Sequence, residues 1–259
     1  MTNELLILDG TVLVLRPYFV GIDAPWAVAR SRLRKAAGTT SHIAVVIDRT
    51  MDTFRRELDP SYKAHRPPAP PDLIAHFNRF EAEVEAMGVA LFGSLTYEAD
   101  DLAATLARLA GAQGLDVRIQ STDKDLFQVV SDQPRVVTQD DKKGTIFDEA
   151  GVKAKLGVRP DQIIDYLSLV GDASDGIPGV KGVGAKTAST LLQHLDSLDA
   201  AYADLDAVAA LPIRGAKSLA RKLTVGREAA MHARRLIKLV DDVDLGEAPL
   251  DRCAFTPAS

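Results

Sequence analysis

The chain has 259 residues, 46% of them apolar and 26% charged, with a formal net charge of −5. This is an ordinary globular composition, long enough for one large domain with a substantial subdomain. No apolar run approaches the roughly 20 residues a membrane helix needs, and MTNELLILDG places no basic stretch ahead of an apolar one, so neither a membrane span nor a signal peptide is expected. The single cysteine, Cys253, excludes an internal disulfide and a Cys-based zinc site, and a reducing cytoplasmic setting fits. The five histidines have no ligand spacing, so a bound metal would need oxygen ligands.

In chain order, Leu5-Leu6-Ile7-Leu8 followed by Asp9-Gly10 reads as a buried strand ending in a turn. Residues 43–47 before Asp48 repeat the pattern, and so do residues 116–120 before Ser121-Thr122-Asp123. Continuous apolar strands have both faces covered, as in a parallel sheet packed by helices. Between them, residues 72–87 put Leu73, Phe77, Phe80, Val84 and Met87 on one helical face, with Gly88 as a C-terminal cap. Residues 100–110 form a second helix, striped by Leu102, Leu106 and Leu109. The alternation predicts an α/β fold with a central, mostly parallel sheet over residues 1–159. From about Pro160 the strand signal stops. Residues 161–170, 185–195, 200–211 and 216–240 read as helices joined by glycine-rich turns, a helical subdomain over residues 160–259.

Asp9, Asp48 and Asp123 sit at predicted strand ends, where parallel α/β sheets bind ligands. Glu98, Asp100 and Asp101 open a helix, Asp125 follows Asp123 across Lys124, and Asp172 and Asp175 lie in a Gly-Asp-Ala-Ser-Asp-Gly turn. Each acid has a plain structural reading as a cap or turn residue. Their coincidence at three strand ends and one helix start favours a cation site, because so many carboxylates repel one another unless a hard ion such as Mg²⁺ or Mn²⁺ is present. Setting these nine acids aside leaves the rest of the chain at +4, compatible with a DNA substrate.

Residues 54–66 concentrate cations. They read either as a solvated helix face or as a phosphate grip, in which Arg55, Lys63 and Arg66 contact DNA and Tyr62 stacks on an end base. Gly176-Ile177-Pro178-Gly179-Val180-Lys181-Gly182-Val183-Gly184-Ala185-Lys186-Thr187 is neither a P-loop, since Ala185 interrupts Gly-Lys-Thr, nor a dinucleotide fingerprint, since Thr187 stands where glycine is needed. It reads as a tight turn between two helices, with Lys181, Gly182, Gly184 and Lys186 placed to hold a DNA phosphate without reading sequence.

These stretches resemble the 5′-nuclease family, which includes 5′-3′ exonucleases and flap endonucleases of DNA replication and repair. The matching segments are Leu8-Asp9-Gly10 with Arg16, Val46-Ile47-Asp48, Thr53-Phe54-Arg55, Tyr62-Lys63-Ala64-His65-Arg66-Pro67-Pro68, Glu98-Ala99-Asp100-Asp101, Thr122-Asp123-Lys124-Asp125-Leu126, residues 171–179, the glycine hairpin and Arg214-Gly215-Ala216-Lys217. The resemblance implies a PIN-like α/β domain, a helix-hairpin-helix element and two divalent metal ions. Asp9, Asp48, Glu98, Asp100 and Asp101 would serve the first ion, and Asp123, Asp125, Asp172 and Asp175 the second. Lys63 and Arg66 would neutralise the scissile phosphate, with Arg16 nearby. It also implies a K⁺ held by backbone carbonyls of Leu169, Val170, Pro178, Val180 and Val183. The implied activity is hydrolysis of DNA at 5′ ends and flap junctions by a monomer. The chain resembles short stand-alone bacterial members, some of which have lost second-cluster acids; the presence of all nine here favours an active enzyme. Departures from the pattern are a short segment between Asp9 and Asp48 containing Pro25-Trp26, and Gly176 where Asn is common. Two other classes stay open: a non-catalytic DNA-junction binder, which would bind without turnover, and a PIN-type ribonuclease, against which the hairpin argues.

Overall fold

The computed structural model describes residues 2–140 and 142–256. The chain begins β1 (Thr2–Asp9), α1 (Gly10–Phe19), α2 (Pro25–Ala37), β2 (Thr40–Asp48), α3 (Phe54–Leu58), α4 (Pro71–Ala86), β3 (Ala90–Ser94), α5 (Ala99–Ala112) and β4 (Asp116–Gln120). After a 3-10 turn at Asp125–Val129 come β5 (Ser131–Asp132), β6 (Arg135–Gln139), β7 (Ile146–Phe147) and α6 (Glu149–Leu156). A second such turn at Pro160–Gln162 leads to α7 (Ile163–Val170), β8 (Gly171–Asp172) and β9 (Ile177–Pro178). The remaining helices are α8 (Ala185–Leu195), α9 (Leu198–Ala203), α10 (Leu205–Ala210), α11 (Ala216–Ile237) and α12 (Pro249–Cys253).

Two compact units emerge, and both are discontinuous in sequence. A sheet unit takes residues 1–54, 66–148 and 239–259; a helical unit takes residues 55–65 and 149–238. Compared with a single boundary at residue 160, the basic segment 55–65, residues 149–159 and the tail from Leu239 change sides.

In the sheet unit the strand order is β3-β2-β1-β4-β6-β5, with β7 also on β6. The pairs β2–β3, β1–β2, β1–β4 and β4–β6 are parallel, while β5 and β7 run antiparallel to β6. Alternate residues of β1 enter opposite cores, as the period of two requires. Leu6 and Leu8 pack with Leu13, Val14, Leu33, Phe80 and Val84 from α1, α2 and α4. Leu5 and Ile7 pack with Leu102, Leu106 and Leu250 from α5 and α12. Burial on both faces explains why β1 and β2 read as unbroken apolar runs. Truncating one of these fully buried leucines to alanine costs about 2–5 kcal/mol. Gly10 is required by close approach, because a Cβ there would lie 2.6 Å from Val45 Cγ1 and 2.7 Å from Ile47 Cγ2. The guanidinium groups of Arg30 and Arg79 lie 5.4 Å and 5.0 Å from the Trp26 ring centroid, and the second contact links α2 to α4.

In the helical unit α7 packs against α8 and α11. The helix expected over residues 200–211 is two helices, because the Asp204 carboxylate accepts the Ala207 N–H at 2.8 Å and starts α10 afresh. The helix expected to reach residue 240 ends at Ile237. Arg55 Nε donates to the Leu236 carbonyl at 2.7 Å, serving one of the carbonyls that a helix end leaves without an intrahelical partner. The short β8–β9 ribbon has no counterpart in the sequence reading. Its two-residue strands are too short to show periodicity.

Candidate functional site

The edge of the sheet unit is built by three chain reversals. Asp9 ends β1 and caps α1, its Oδ1 accepting the Val12 N–H at 2.9 Å while its Oδ2 accepts from Ser121 Oγ at 3.2 Å. Asp48 ends β2; its N–H donates to Thr11 Oγ1 at 2.9 Å and its Oδ1 accepts the Ala99 N–H at 2.9 Å. Asp123 follows β4, its N–H donating to Ser121 Oγ at 3.1 Å and its Oδ1 accepting the Asp125 N–H at 2.9 Å. Because β2, β1 and β4 are parallel neighbours, their carboxyl ends share one edge, and the start of α5 is bound to it through Asp48.

Crowding shows in the acidities. Burial is the main cause that raises Asp9 to about 7; the Val12 N–H opposes it, and the charges of Asp48 and Asp123 add to it. Asp100 retains some solvent contact. Even so, burial first, then the charges of Asp123, Asp9, Asp48 and Asp125, hold its carboxyl well above the ordinary range. The charges of Asp48, Asp123 and Asp125 thus disfavour the ionised form of Asp100, and those of Asp48 and Asp123 that of Asp9. This is the electrostatic condition that a divalent cation relieves, and an anionic, all-oxygen donor set is the one Mg²⁺ or Mn²⁺ takes.

The helix start is less uniform. Glu98 caps α5, and Thr53 Oγ1 donates to its Oε1 at 3.4 Å. Asp101 is completely buried. Its Oδ2 accepts the Glu98 N–H at 3.0 Å and its Oδ1 the Val240 N–H at 2.9 Å, so both oxygens brace backbone. Arg16, in the last turn of α1, donates to Thr122 Oγ1, and Arg66 is exposed.

In the helical unit Asp172 and Asp175 are buried in the turn between β8 and β9. Asp172 Oδ1 accepts from the Ser174 N–H at 2.8 Å and from Ser174 Oγ at 2.6 Å. Asp175 Oδ2 accepts from the Tyr62 hydroxyl at 3.1 Å and lies 3.6 Å from Lys63 Nζ, while its carbonyl accepts the Lys63 N–H at 2.9 Å. Two expectations are corrected here. Tyr62 does not offer a stacking face, since it is 3% exposed and its hydroxyl is used by Asp175. Arg55 is not a DNA contact, since it is 2% exposed and donates to the Leu236 and Lys238 carbonyls. Gly176, at φ 74°, occupies the left-handed region that Gly and Asn tolerate best.

The glycine hairpin follows. A Cβ on Gly179 would lie 2.4 Å from Gly171 N and Leu169 O, so only glycine lets the two strands approach this closely. Gly182 turns at φ 77°, and Lys222 Nζ donates to its carbonyl at 2.8 Å. Lys222 was invisible to motif reasoning, being 40 residues away on α11. Lys181 and Lys186 are exposed, and Gly184 caps α8 without a side chain. The Leu169 and Val180 carbonyls accept the Val180 and Val183 N–H groups at 2.8 Å and 2.9 Å; Val170 ends α7 and Pro178 pairs with Gly171.

A parallel sheet carrying an acidic edge, together with a helical unit carrying a glycine hairpin, defines a nuclease-like class of fold. Residues 4–157 match the family model of the 5′-3′ exonuclease N-terminal resolvase-like domain, and residues 158–259 match that of the 5′-3′ exonuclease C-terminal SAM fold. The chain belongs to the 5′-3′ exonuclease family. It is 45% identical over 206 residues to DNA polymerase I of Pseudomonas aeruginosa, covering 79% of this chain and 22% of that protein. It is 34% identical over 253 residues to the thermostable DNA polymerase I of Thermus thermophilus, covering 94% and 29%. The chain thus spans less than a third of the length of these relatives. In fold it is similar to the T5 5′-exonuclease with zinc bound, with TM-score 0.76, 23% identity and 97% of each chain covered. It is also similar to the catalytic core of Rad2 in complex with DNA substrate, with TM-score 0.65, 15% identity and 99% and 82% covered. The expected α/β fold with its helical subdomain and the expected family both hold. Among the described residues, no helix is long and apolar enough to cross a membrane.

Proposed function

We propose that the chain is a structure-specific 5′-nuclease that hydrolyses DNA phosphodiesters near 5′ ends and flap junctions, using Mg²⁺ or Mn²⁺. The observation that carries this reading is the carboxylate crowding at the sheet edge, which leaves Asp9 and Asp100 raised. Asp9, Asp48, Glu98 and Asp100 would hold one ion, with Asp101 bracing the helix start that presents them. Asp123, Asp125, Asp172 and Asp175 are assigned to a second, as the family resemblance implies. Bound ions supply Lewis acidity toward a phosphoryl oxygen and lower the pKa of a water.

The chain's own residues do the rest. Lys63, Arg66 and Arg16 offset negative charge that develops on the phosphate. Lys181, Gly182, Gly184 and Lys186 hold duplex backbone, so binding weakens as salt rises. The Leu169, Val170, Pro178, Val180 and Val183 carbonyls are assigned to a K⁺ at the hairpin. The protein would act as a cytoplasmic monomer on DNA. The similarity in fold to the T5 5′-exonuclease with zinc bound and to the catalytic core of Rad2 in complex with DNA substrate supports the reading. Purified protein with a 5′-flap DNA and Mg²⁺ or Mn²⁺ is expected to cut near the junction. Asp123→Asn is expected to slow cutting by about 10²-fold or more. No cleavage by the unmodified protein, or undiminished cleavage by Asp123→Asn, would overturn the assignment.

A further inference from the structure

Residues 55–65 are remote in sequence from the rest of the helical unit, yet fold with it. Arg55 fixes one end of the segment to the Leu236 carbonyl, and Tyr62 and Lys63 fix the other to Asp175. Between them stands Asp59. Its Oδ1 accepts from the Ser61 N–H at 2.8 Å and from Ser61 Oγ at 2.7 Å, and its backbone carbonyl accepts the Tyr62 N–H at 3.0 Å. Its Oδ2 lies 2.7 Å from His232 Nε2. The other ring nitrogen, His232 Nδ1, lies 3.1 Å from Arg235 NH2. A guanidinium only donates, so Nδ1 accepts and the ring proton resides on Nε2, pointing at Asp59.

The hydrogen bonds from Ser61 and then from His232 lower the Asp59 carboxyl to about 2, keeping it an anion at neutral pH. Charge-assisted bonds of this kind are stronger than neutral ones. They also act on a conformation that needs support. Lys63 has φ 52°, in the left-handed region, which a non-glycine residue keeps only where its surroundings enforce it. Asp59 is thus the fixed point of the turn that presents Tyr62 and Lys63 to Asp175. Nothing in the motif pattern singled out Asp59, His232 or Arg235.

We infer that Arg235, His232 and Asp59 form a relay from α11 that positions the turn at residues 59–63, and with it the Lys63 ammonium, for phosphodiester cleavage. All three are positioning residues, and their catalytic consequence rests on the nuclease reading proposed above. The relay predicts that the Nε2 donor matters, beyond the volume of the ring.

Two variants separate these. His232→Leu removes the donor and keeps an apolar side chain of comparable size. His232→Gln retains an N–H near the Nε2 position. Two readouts apply to both: hydrogen exchange at the Tyr62 and Lys63 amides, and the single-turnover cleavage rate on a saturating 5′-flap DNA with its Kd. In His232→Leu, exchange at these amides is expected to rise about tenfold and the cleavage rate to fall about tenfold, with Kd changed less than about twofold. His232→Gln is expected to restore both to within about threefold of the unmodified protein. Unchanged exchange in His232→Leu would overturn the inference, and so would equal loss in both variants. If the unmodified protein does not cleave at all, the nuclease reading fails, while the exchange readout still decides whether the relay holds the turn.

Discussion

At the edge of the sheet unit Asp9, Asp48 and Asp100 present carboxyl side chains from three elements, whereas in the hairpin of the helical unit Gly171 and Gly179 bring backbone close with no side chain at all. The first region stores electrostatic repulsion: burial and the neighbouring charges of Asp48 and Asp123 raise the carboxyls of Asp9 and Asp100. The second stores steric intolerance, because its geometry exists only while Gly171 and Gly179 lack a Cβ. The two therefore fail differently. The acidic edge responds to protons and cations, and the hairpin to added volume.

The largest effect expected from this contrast is a pH dependence at the acidic edge. Asp9 stands at about 7 in the folded protein against an ordinary 3.8, so the folded protein holds a proton that the unfolded chain releases between those values. Stability without divalent ions should be greatest below pH 4 as far as this group is concerned, and be lost as pH rises to about 7, by at most about 4 kcal/mol. Denaturant unfolding at pH 4, 5.5 and 7 measures the slope. Asp9→Asn should flatten it, and a slope unchanged by Asp9→Asn would break the electrostatic half of the comparison.

A somewhat smaller loss is expected from the other region. Gly179→Ala drives a Cβ into the Gly171 and Leu169 backbone, and should cost about 3 kcal/mol. Its unfolding free energy should drop by a similar amount at pH 4 and pH 7, because no titrating group is touched. A Gly179→Ala protein as stable as the unmodified one would show that the hairpin tolerates volume after all.

The same contrast explains what the sequence disclosed. The strands β1, β2 and β4 announced themselves because burial on both faces leaves a continuous apolar run, and the aspartates at their ends followed from parallel topology. The hairpin was legible from its glycines. What stayed hidden depends on contacts between distant parts of the chain. Arg55 looked like a solvent-facing cation, but it reaches a carbonyl 181 residues away and is buried by doing so. Tyr62 looked like a stacking ring, but Asp175, 113 residues on, uses its hydroxyl. Asp101 looked equivalent to Asp100, yet its oxygens are used by Glu98 and Val240, and only the first of these is implied by the three-residue spacing. Local pattern carries the elements and the candidate acids. Assigning each acid to a ligand or a bracing role needs the tertiary partners.

The central claim is that the crowded carboxylates of the sheet edge form a divalent-cation site. Anomalous diffraction from a crystal soaked in Mn²⁺ tests it most directly. A Mn²⁺ peak is expected in contact with carboxylate oxygens of Asp9 and Asp100, with Asp101 still bonded to the Glu98 and Val240 amides. No peak at the edge, or a Mn²⁺ bound elsewhere with Asp9 and Asp100 outside its coordination sphere, would contradict it.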